Sequence, residues 1–371
     1  MSPMYSTRTA LLVAGLAYGT SASFVQPVRQ TGSLEPSLWG VANAQMDGWA
    51  PLTRSASDPR VVISLTTVPA GLHGLGLVLS SLRNQTVAAD AIEINLPGQS
   101  NRHLGKYKIQ DLSDEDGKNV SVYRTDDWFA LTSLIPTVRR AHLNNQSTLV
   151  IIVDDDKVYP PTLVEDHLRA HRNNPRSANT CRGYKVPPGG DIYQGHFFTA
   201  WDDHKHSVYG DAIGKRQRVA VVTGSDSWSV PSDAFTSKLW DDLVKNGYDT
   251  SIATSAKMMN DIYASGQLSK LEVPKYVIPC RRQCQDAPKT RDRAKEELSY
   301  FPGMRQKRTS DVMRFFANDW RKEEVMSAAE VSGAPTPSAS AKVTMAAGKG
   351  VGTQALLWAE RVASGAAHTL R

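Results

Sequence analysis

Apolar and polar positions fall into a regular pattern only from residue 61 onward. VVISLTTVP (61–69) is a β-branched run closed by proline and predicts a first strand. GLHGLGLVLSSLRNQ follows, with Leu72, Leu75, Leu79 and Leu82 at helical spacing. AIEINLP (91–97) alternates as a second strand and NVSVYRTDD (119–127) as a third. LTSLIPTVRRAHL (131–143) predicts a helix in which Pro136 must lie early or mark a kink, because proline has no amide to donate. LVIIV (149–153) predicts a fourth strand, and it runs straight into Asp154, Asp155 and Asp156. Pro160 and Pro161 then open a helix over TLVEDHLRAHRNN. Strand–helix–strand alternation of this kind predicts the α/β class, with a mainly parallel Rossmann-like sheet flanked by helices.

Beyond residue 181 the pattern loosens. Residues 189–211 are loop-like and rich in Gly, aromatic and polar residues. QRVAVVTGSDSWSV (217–230) predicts a strand pair around a turn, and SDAFTSKLWDDLVKNG (232–247) a helix capped by Ser232 and stopped by Gly247. Residues 24–58 carry no period and read as a linker or transit segment. From Met326 the chain is Ala/Ser/Gly-biased, with no face to bury, so 326–371 is expected to be mostly disordered. TQALLWAERVAS (353–364) predicts a short amphipathic helix within it. One domain over 59–325 is therefore expected.

The N-terminus has Arg8, an apolar stretch from Ala10 to Tyr18, and small residues Ser21, Ala22 and Ser23 before Phe24. That arrangement predicts a cleavable signal peptide over 1–23, since the apolar part is about half of the ~20 residues a spanning helix needs. No transmembrane anchor is expected. The destination implied is the secretory lumen (ER or Golgi) or the exterior. SASFVQP also resembles the leader junction of proteins imported into complex algal plastids, which gives an alternative destination.

Net charge is +6, and much of the basic excess lies in 281–308 among acids, which predicts a solvated, partly helical surface. Without a dense basic patch interleaved with aromatics, no nucleic-acid partner is expected. Three cysteines (Cys181, Cys280, Cys284) allow one disulfide with a leftover thiol, or three free thiols. Asn84, Asn119 and Asn145 head N-x-S/T sequons. Composition leaves the oligomeric state open.

Three consecutive carboxylates cannot stay buried and ionised without compensation. Hard oxygen ligands at a strand end suit Mn²⁺ or Mg²⁺, and in an extended turn Asp154 and Asp156 point to one side. The plainer alternative is that the acids cap the helix beginning near Pro161. A response-regulator receiver is excluded, because that fold would begin at this strand and show a second phosphoacceptor segment after it.

Over residues 61 to about 280 the chain resembles glycosyltransferases of the GT-A type, near their family-2-like uncharacterised members. The resemblance rests on VVISLTTVPAGLHGLGLVLSSLRNQTVAADAIEINLP, DDWFALTSLIPTV, VIIVDDDKVYPPTLVE with its D-x-D metal motif, and NDIYASGQL (260–268), in that order. It implies a nucleotide-sugar donor, a glycan, protein or lipid acceptor, and Asp154 and Asp156 as metal ligands. Thr66, Asp127 and Asp155 would line the donor pocket, and Asp261 would be the catalytic base. Asp226, Trp228 and Trp201 are acceptor-side candidates. His196, His204 and His206 could supply a late metal ligand or remain surface residues. The sequence departs from the pattern at Phe129, Ala130 and Ser133, where the family has Gly, Pro and Lys, and at Asn260, where it has an acid. Those departures keep open an alternative: a catalytically silent sugar- or nucleotide-binding protein of the same fold.

Overall fold

The computed structural model describes residues 50–98, 107, 120–186, 188, 207–245, 247–288 and 302–327. The leader and most of the linker and of the tail lie outside them, as do Asn119, Trp201 and the three histidines at 196, 204 and 206.

Strands β1 (Arg60–Leu65), β2 (Ala91–Pro97), β3 (Val120–Thr125) and β4 (Thr148–Ile152) are the four read from the sequence, and all pair in parallel. Helix α1 (Leu75–Arg83) returns the chain from β1 to β2, and α2 (Ile135–Leu143) from β3 to β4. Pro136 falls in the first turn of α2, where a missing amide leaves no hydrogen bond unmade. After β5 (Lys157–Val158), α3 (Leu163–Asn173) leads to β6 (Ala178–Thr180).

The second half is built of short pieces. β7 (Arg182–Tyr184), β8 (Ser207–Tyr209), β9 (Gln217–Arg218), β10 (Val221–Val222) and β11 (Trp228–Pro231) come first. They are followed by α4 (Lys238–Asp241), β12 (Val244–Lys245), β13 (Tyr248–Asp249), α5 (Ala253–Met258) and α6 (Asn260–Lys270). β14 (Lys275–Val277), β15 (Gln285–Asp286) and α7 (Pro302–Phe315) complete the described elements.

The main sheet has the order β3-β2-β1-β4-β11-β6-β14-β9. β11 runs antiparallel to both β4 and β6, β14 runs parallel to β6, and β9 closes the edge antiparallel. The expected mainly parallel α/β sheet is therefore present. Its period-2 pattern sorts the core onto two faces. Val61, Ile63, Leu65, Ile92, Ile94, Leu149 and Ile151 pack with α1 and α3 on one side. Val150, Ile152 and Val230 pack with α2, α5, α6 and α7 on the other. Gly266 of α6 is needed there, because a Cβ would stand 2.2 Å from the Phe316 ring just past α7.

Three expectations are corrected. The strands in 217–230 do not pair with each other: β10 joins β7, and β11 inserts between β4 and β6. The helix expected over 232–247 shrinks to α4, because Gly247 takes φ 81° and turns β12 into β13. Turn chemistry at Lys-Asn-Gly-Tyr thus overrides the helical period. The basic stretch from 281 is not wholly a solvated surface either. Arg281 donates from Nε to Asp166 and contacts Glu165 at 2.7 Å, and both acids are 2% exposed.

Cys181 and Cys280 form a disulfide across 99 residues of sequence. Gly210 lies against it, where a Cβ would meet the Ile278 carbonyl at 2.5 Å and the Cys280 sulfur at 3.0 Å. Cys284 stands outside the disulfide. Residues 50–58, placed in the linker by composition, lie along α3. Leu52 N–H donates to Glu165, and Arg172 donates to Asp58 at 2.7 and 2.6 Å. None of the described helices is long and apolar enough to cross a membrane.

Candidate active site

Ligands of open α/β sheets bind beyond the carboxyl ends of the strands. Thr66 follows β1, Asp127 follows β3, and Asp154–Asp156 follow β4, so all lie on that edge. β11 is reversed and registers Trp228 opposite Ile152, which brings the turn before it, with Gly224 and Asp226, to the same edge. Asp261, in the first turn of α6, reaches that turn as well.

Gly224 is the meeting point. Its N–H donates to Asp261 Oδ2 at 2.8 Å. A Cβ on Gly224 would lie 3.2 Å from Asp154 Oδ1 and 3.3 Å from Asp261 Oδ1. Two carboxylates separated by about a hundred residues of sequence thus converge on one backbone position, and any side chain there would crowd both. Asp154 keeps some accessible surface yet is hemmed in by protein atoms. Burial, followed by the charges of Asp156, Asp261 and Asp155, raises its carboxyl well above the usual carboxylate range, with Lys157 pulling the other way.

The backbone of Asp154 is fixed by Tyr159, whose hydroxyl accepts the Asp154 N–H at 2.7 Å. Tyr159 is 1% exposed, and burial together with the Asp154 charge keeps its hydroxyl protonated. β15 lies over the acidic turn from outside: it pairs with β5, and Ala287 N–H donates to the Asp156 carbonyl. Lys157 pairs with Asp286. Burial opposes its charge, but the hydrogen bond to Asp286 and the negative groups around it raise its pKa. Cys284 donates from its thiol to Asp226 Oδ1 at 2.9 Å, and burial plus that carboxylate push the thiol pKa up.

The turn carrying Gly224 is held from behind. Ser227 adopts φ 74°, an unfavourable conformation for a residue with a side chain. His167 of α3 contacts Ser227 Oγ through Nε2 at 2.8 Å and Ser229 Oγ through Nδ1 at 2.9 Å. Fully buried, His167 has its pKa lowered to about 3 by desolvation and is neutral. Thr180 Oγ1 donates to the Ser227 carbonyl at 2.9 Å.

The remaining predicted residues are placed as follows. Thr66 donates its hydroxyl to the Asn95 carbonyl, and Asp127 Oδ1 accepts the Phe129 N–H at 2.8 Å, supporting a residue at φ 55°. Trp228 is 1% exposed and packed in the core, so it offers no ring face to an acceptor. Asp226 is buried beside Cys284. Tyr159, His167 and Gly224 do not stand out in the sequence, and Cys284 stands out there only as a possible leftover thiol. The one signal available was Gly224 in TGSDSW, two residues ahead of a candidate acid.

Among the described residues no group of three His, Cys, Asp or Glu is gathered as a metal cage. The Asp154–Asp156 pair still fits a hard divalent cation. Mg²⁺ and Mn²⁺ commonly take one or two carboxylates and fill the remaining positions with water and substrate phosphate. The crowding of negative charge on Asp154 is what such a cation would relieve.

No family description and no curated protein matches this chain. Among solved structures, the crystal structure of 4-diphosphocytidyl-2C-methyl-D-erythritol synthase aligns at 11% identity with a TM-score of 0.36, covering 65% of this chain and 97% of that one. A likeness at that score carries no weight in assigning residues, which rest on the site itself.

Proposed function

We propose that this protein is a metal-dependent glycosyltransferase of GT-A type that moves a sugar from a nucleotide-sugar donor to a glycan, protein or lipid acceptor. The observation that supports it most is the convergence of Asp154 and Asp261 on Gly224 at the carboxyl edge of the sheet. Asp154 and Asp156 would hold Mn²⁺ or Mg²⁺, whose positive charge would offset the negative charge developing on the leaving diphosphate. Thr66, Asp127 and Asp155 line the donor side, and the ammonium of Lys157 adds a positive charge next to the acidic turn. Asp261 accepts the proton of the acceptor hydroxyl. Asp261 stands in the first turn of α6 and accepts the Gly224 N–H, which fixes its carboxylate at the edge of the sheet where a base would act. Asp226 is the next acid for that role, and Trp201 remains an acceptor-side candidate.

One observation favours a second role for Asp261. Its charge acts directly on Asp154, which would make it a third carboxylate of the cation site. Asp261→Asn separates the two. As the base, Asp261 can be lost with Mn²⁺-dependent nucleotide affinity kept, while transfer falls roughly 10²–10⁴-fold. As a cation-site residue, it takes nucleotide affinity with it. Asp154→Ala should abolish the Mn²⁺-dependent part of nucleotide binding, and unchanged affinity in that variant would refute the metal site. A protein that hydrolyses no nucleotide sugar with Mn²⁺ across a donor panel, yet binds one, would be the silent binding protein instead.

A further inference from the structure

Two of the three sequons, Asn84-Gln85-Thr86 and Asn145-Gln146-Ser147, lie among the described residues. Both asparagines are exposed. Each stands directly behind a helix: Asn84 is the C-terminal cap of α1, and Asn145 follows Asn144, the cap of α2. Asn145 has φ 46°, a left-handed conformation that asparagine tolerates better than most residues. The exposure at the second sequon is continuous, from Leu143 at 83% through Ser147.

The first sequon lies beside the start of α3, where the Thr86 N–H donates to the Pro161 carbonyl, and topology puts the second at the far edge of the sheet. Helix α2 runs back against the parallel strands, so it finishes toward the edge where β4 begins. Arg60 N–H, at the start of β1, donates to the Ser147 carbonyl, which fixes the second sequon at that edge. Asp154 and Asp261 lie at the opposite edge from Asn145, so a large hydrophilic group on that asparagine leaves the site open. The Cys181–Cys280 disulfide is an independent sign of an oxidising compartment, where such groups are added.

We propose that Asn84 and Asn145 are N-glycosylation sites. In the step implied, the side-chain Nδ2 bonds to C1 of the first sugar of a lipid-diphosphate-linked oligosaccharide. The C1–O bond to the diphosphate breaks, the amide nitrogen gives up a proton, and the lipid diphosphate leaves. The proposal does not depend on the transferase reading above.

The test is to express the full chain, with its own N-terminus, in a eukaryotic secretory host and treat it with peptide-N-glycosidase. The expected result is a mobility shift that shrinks by one step in Asn84→Gln and again in Asn84→Gln/Asn145→Gln. Peptide mass spectrometry should find aspartate at both positions after the enzyme acts. The doubly substituted protein should keep the wild-type thermal shift with Mn²⁺ and nucleotide, whatever that shift is. Unmodified asparagine at 84 and 145, or a shift due wholly to Asn119, would overturn the proposal.

Discussion

Two polar clusters sit in this sheet, and they are built on opposite rules. One lies between β1, β2 and α2. Glu93 Oε2 accepts from Arg140 at 2.5 Å and from Thr137 at 3.0 Å, and Arg140 also reaches Asn95 Oδ1 at 2.7 Å. Asn95 donates to Ser64 and Thr137, Ser64 donates to the Ser133 carbonyl, and the guanidinium of Arg140 lies 3.8 Å over the Tyr123 ring. Charge meets opposite charge, and donors meet acceptors. The other cluster, Asp154 with Asp155, Asp156 and Asp261, gathers like charges beside one weakly opposing lysine. The first arrangement pairs its charges within the protein, leaving the Arg140 Nε–H without an acceptor among the described residues. The second leaves like charges facing one another, a repulsion that protonation of Asp154 or a bound cation would relieve, and that difference separates a structural network from a candidate site.

The sharpest way to break the comparison is at Glu93. Its side chain is 4% exposed, so Glu93→Ala leaves the Arg140 charge facing an unfilled, largely buried space. A loss of about 3 kcal/mol in unfolding free energy by urea titration is expected, the low end for a broken buried pair because Arg140 keeps some solvent. Glu93→Gln retains the acceptor and should lose clearly less. Equal losses would mean that charge is not what holds this network.

A smaller effect should appear in the support of the site. His167 is neutral in the folded protein, with a pKa lowered to about 3 from 6.5. Between those values the unfolded chain binds the extra proton, so stability falls as pH drops below 6.5. The loss attributable to His167 reaches about 2 kcal/mol by pH 5. His167→Gln keeps a hydrogen-bonding group but cannot titrate, so its stability curve should be flatter over that window. Parallel curves for the two proteins would place the acid sensitivity elsewhere.

The two halves of the fold were unequally legible. From Arg60 to Asn173 the elements other than β5 are announced locally: alternation for β2, leucine spacing for α1, prolines ahead of α3. Beyond residue 181 the strands have two to four residues and, apart from the β12–β13 hairpin, are defined by partners far away in sequence. β14 pairs with β6, and Cys280 bonds Cys181 across 99 residues, so no window of sequence contains the signal. The site divides in the same way. Asp154 and Asp156 were readable because a strand ends on them. Gly224 was not, because its role is to let two distant carboxylates meet. His167 was hidden too, since a histidine between Val164 and Leu168 on the buried face of α3 reads as ordinary core.

The like-charged cluster can also be relieved from inside. Asp154→Asn removes one repelling charge at nearly constant volume. Without metal, stability should rise by up to about 1 kcal/mol, discounted because the side chain is partly solvated. A fall of that size would show Asp154 to be a structural residue like Glu93, and the contrast between the clusters would disappear.

The smallest effect is expected at Tyr159, and it tests whether the acidic turn is positioned or merely placed. The Tyr159 hydroxyl accepts the Asp154 N–H, while the Tyr159 ring is buried in the α1–α3 core. Tyr159→Phe keeps the ring and deletes the hydroxyl, which accepts the Asp154 N–H and donates to the Asp154 carbonyl at a long 3.4 Å, so the cost to stability should be about 1 kcal/mol, the usual value of one good hydrogen bond. If the bond does nothing more, Mn²⁺-dependent nucleotide affinity stays at the wild-type value. If it aims Asp154 toward the cation, affinity falls while the unfolding curve shifts only by that small amount. The second outcome is expected, because Asp154 sits at the end of a strand, where the sheet no longer fixes its backbone. Val153 N–H makes the last bond to β1, to the Ser64 carbonyl, and the next amide is the one Tyr159 holds.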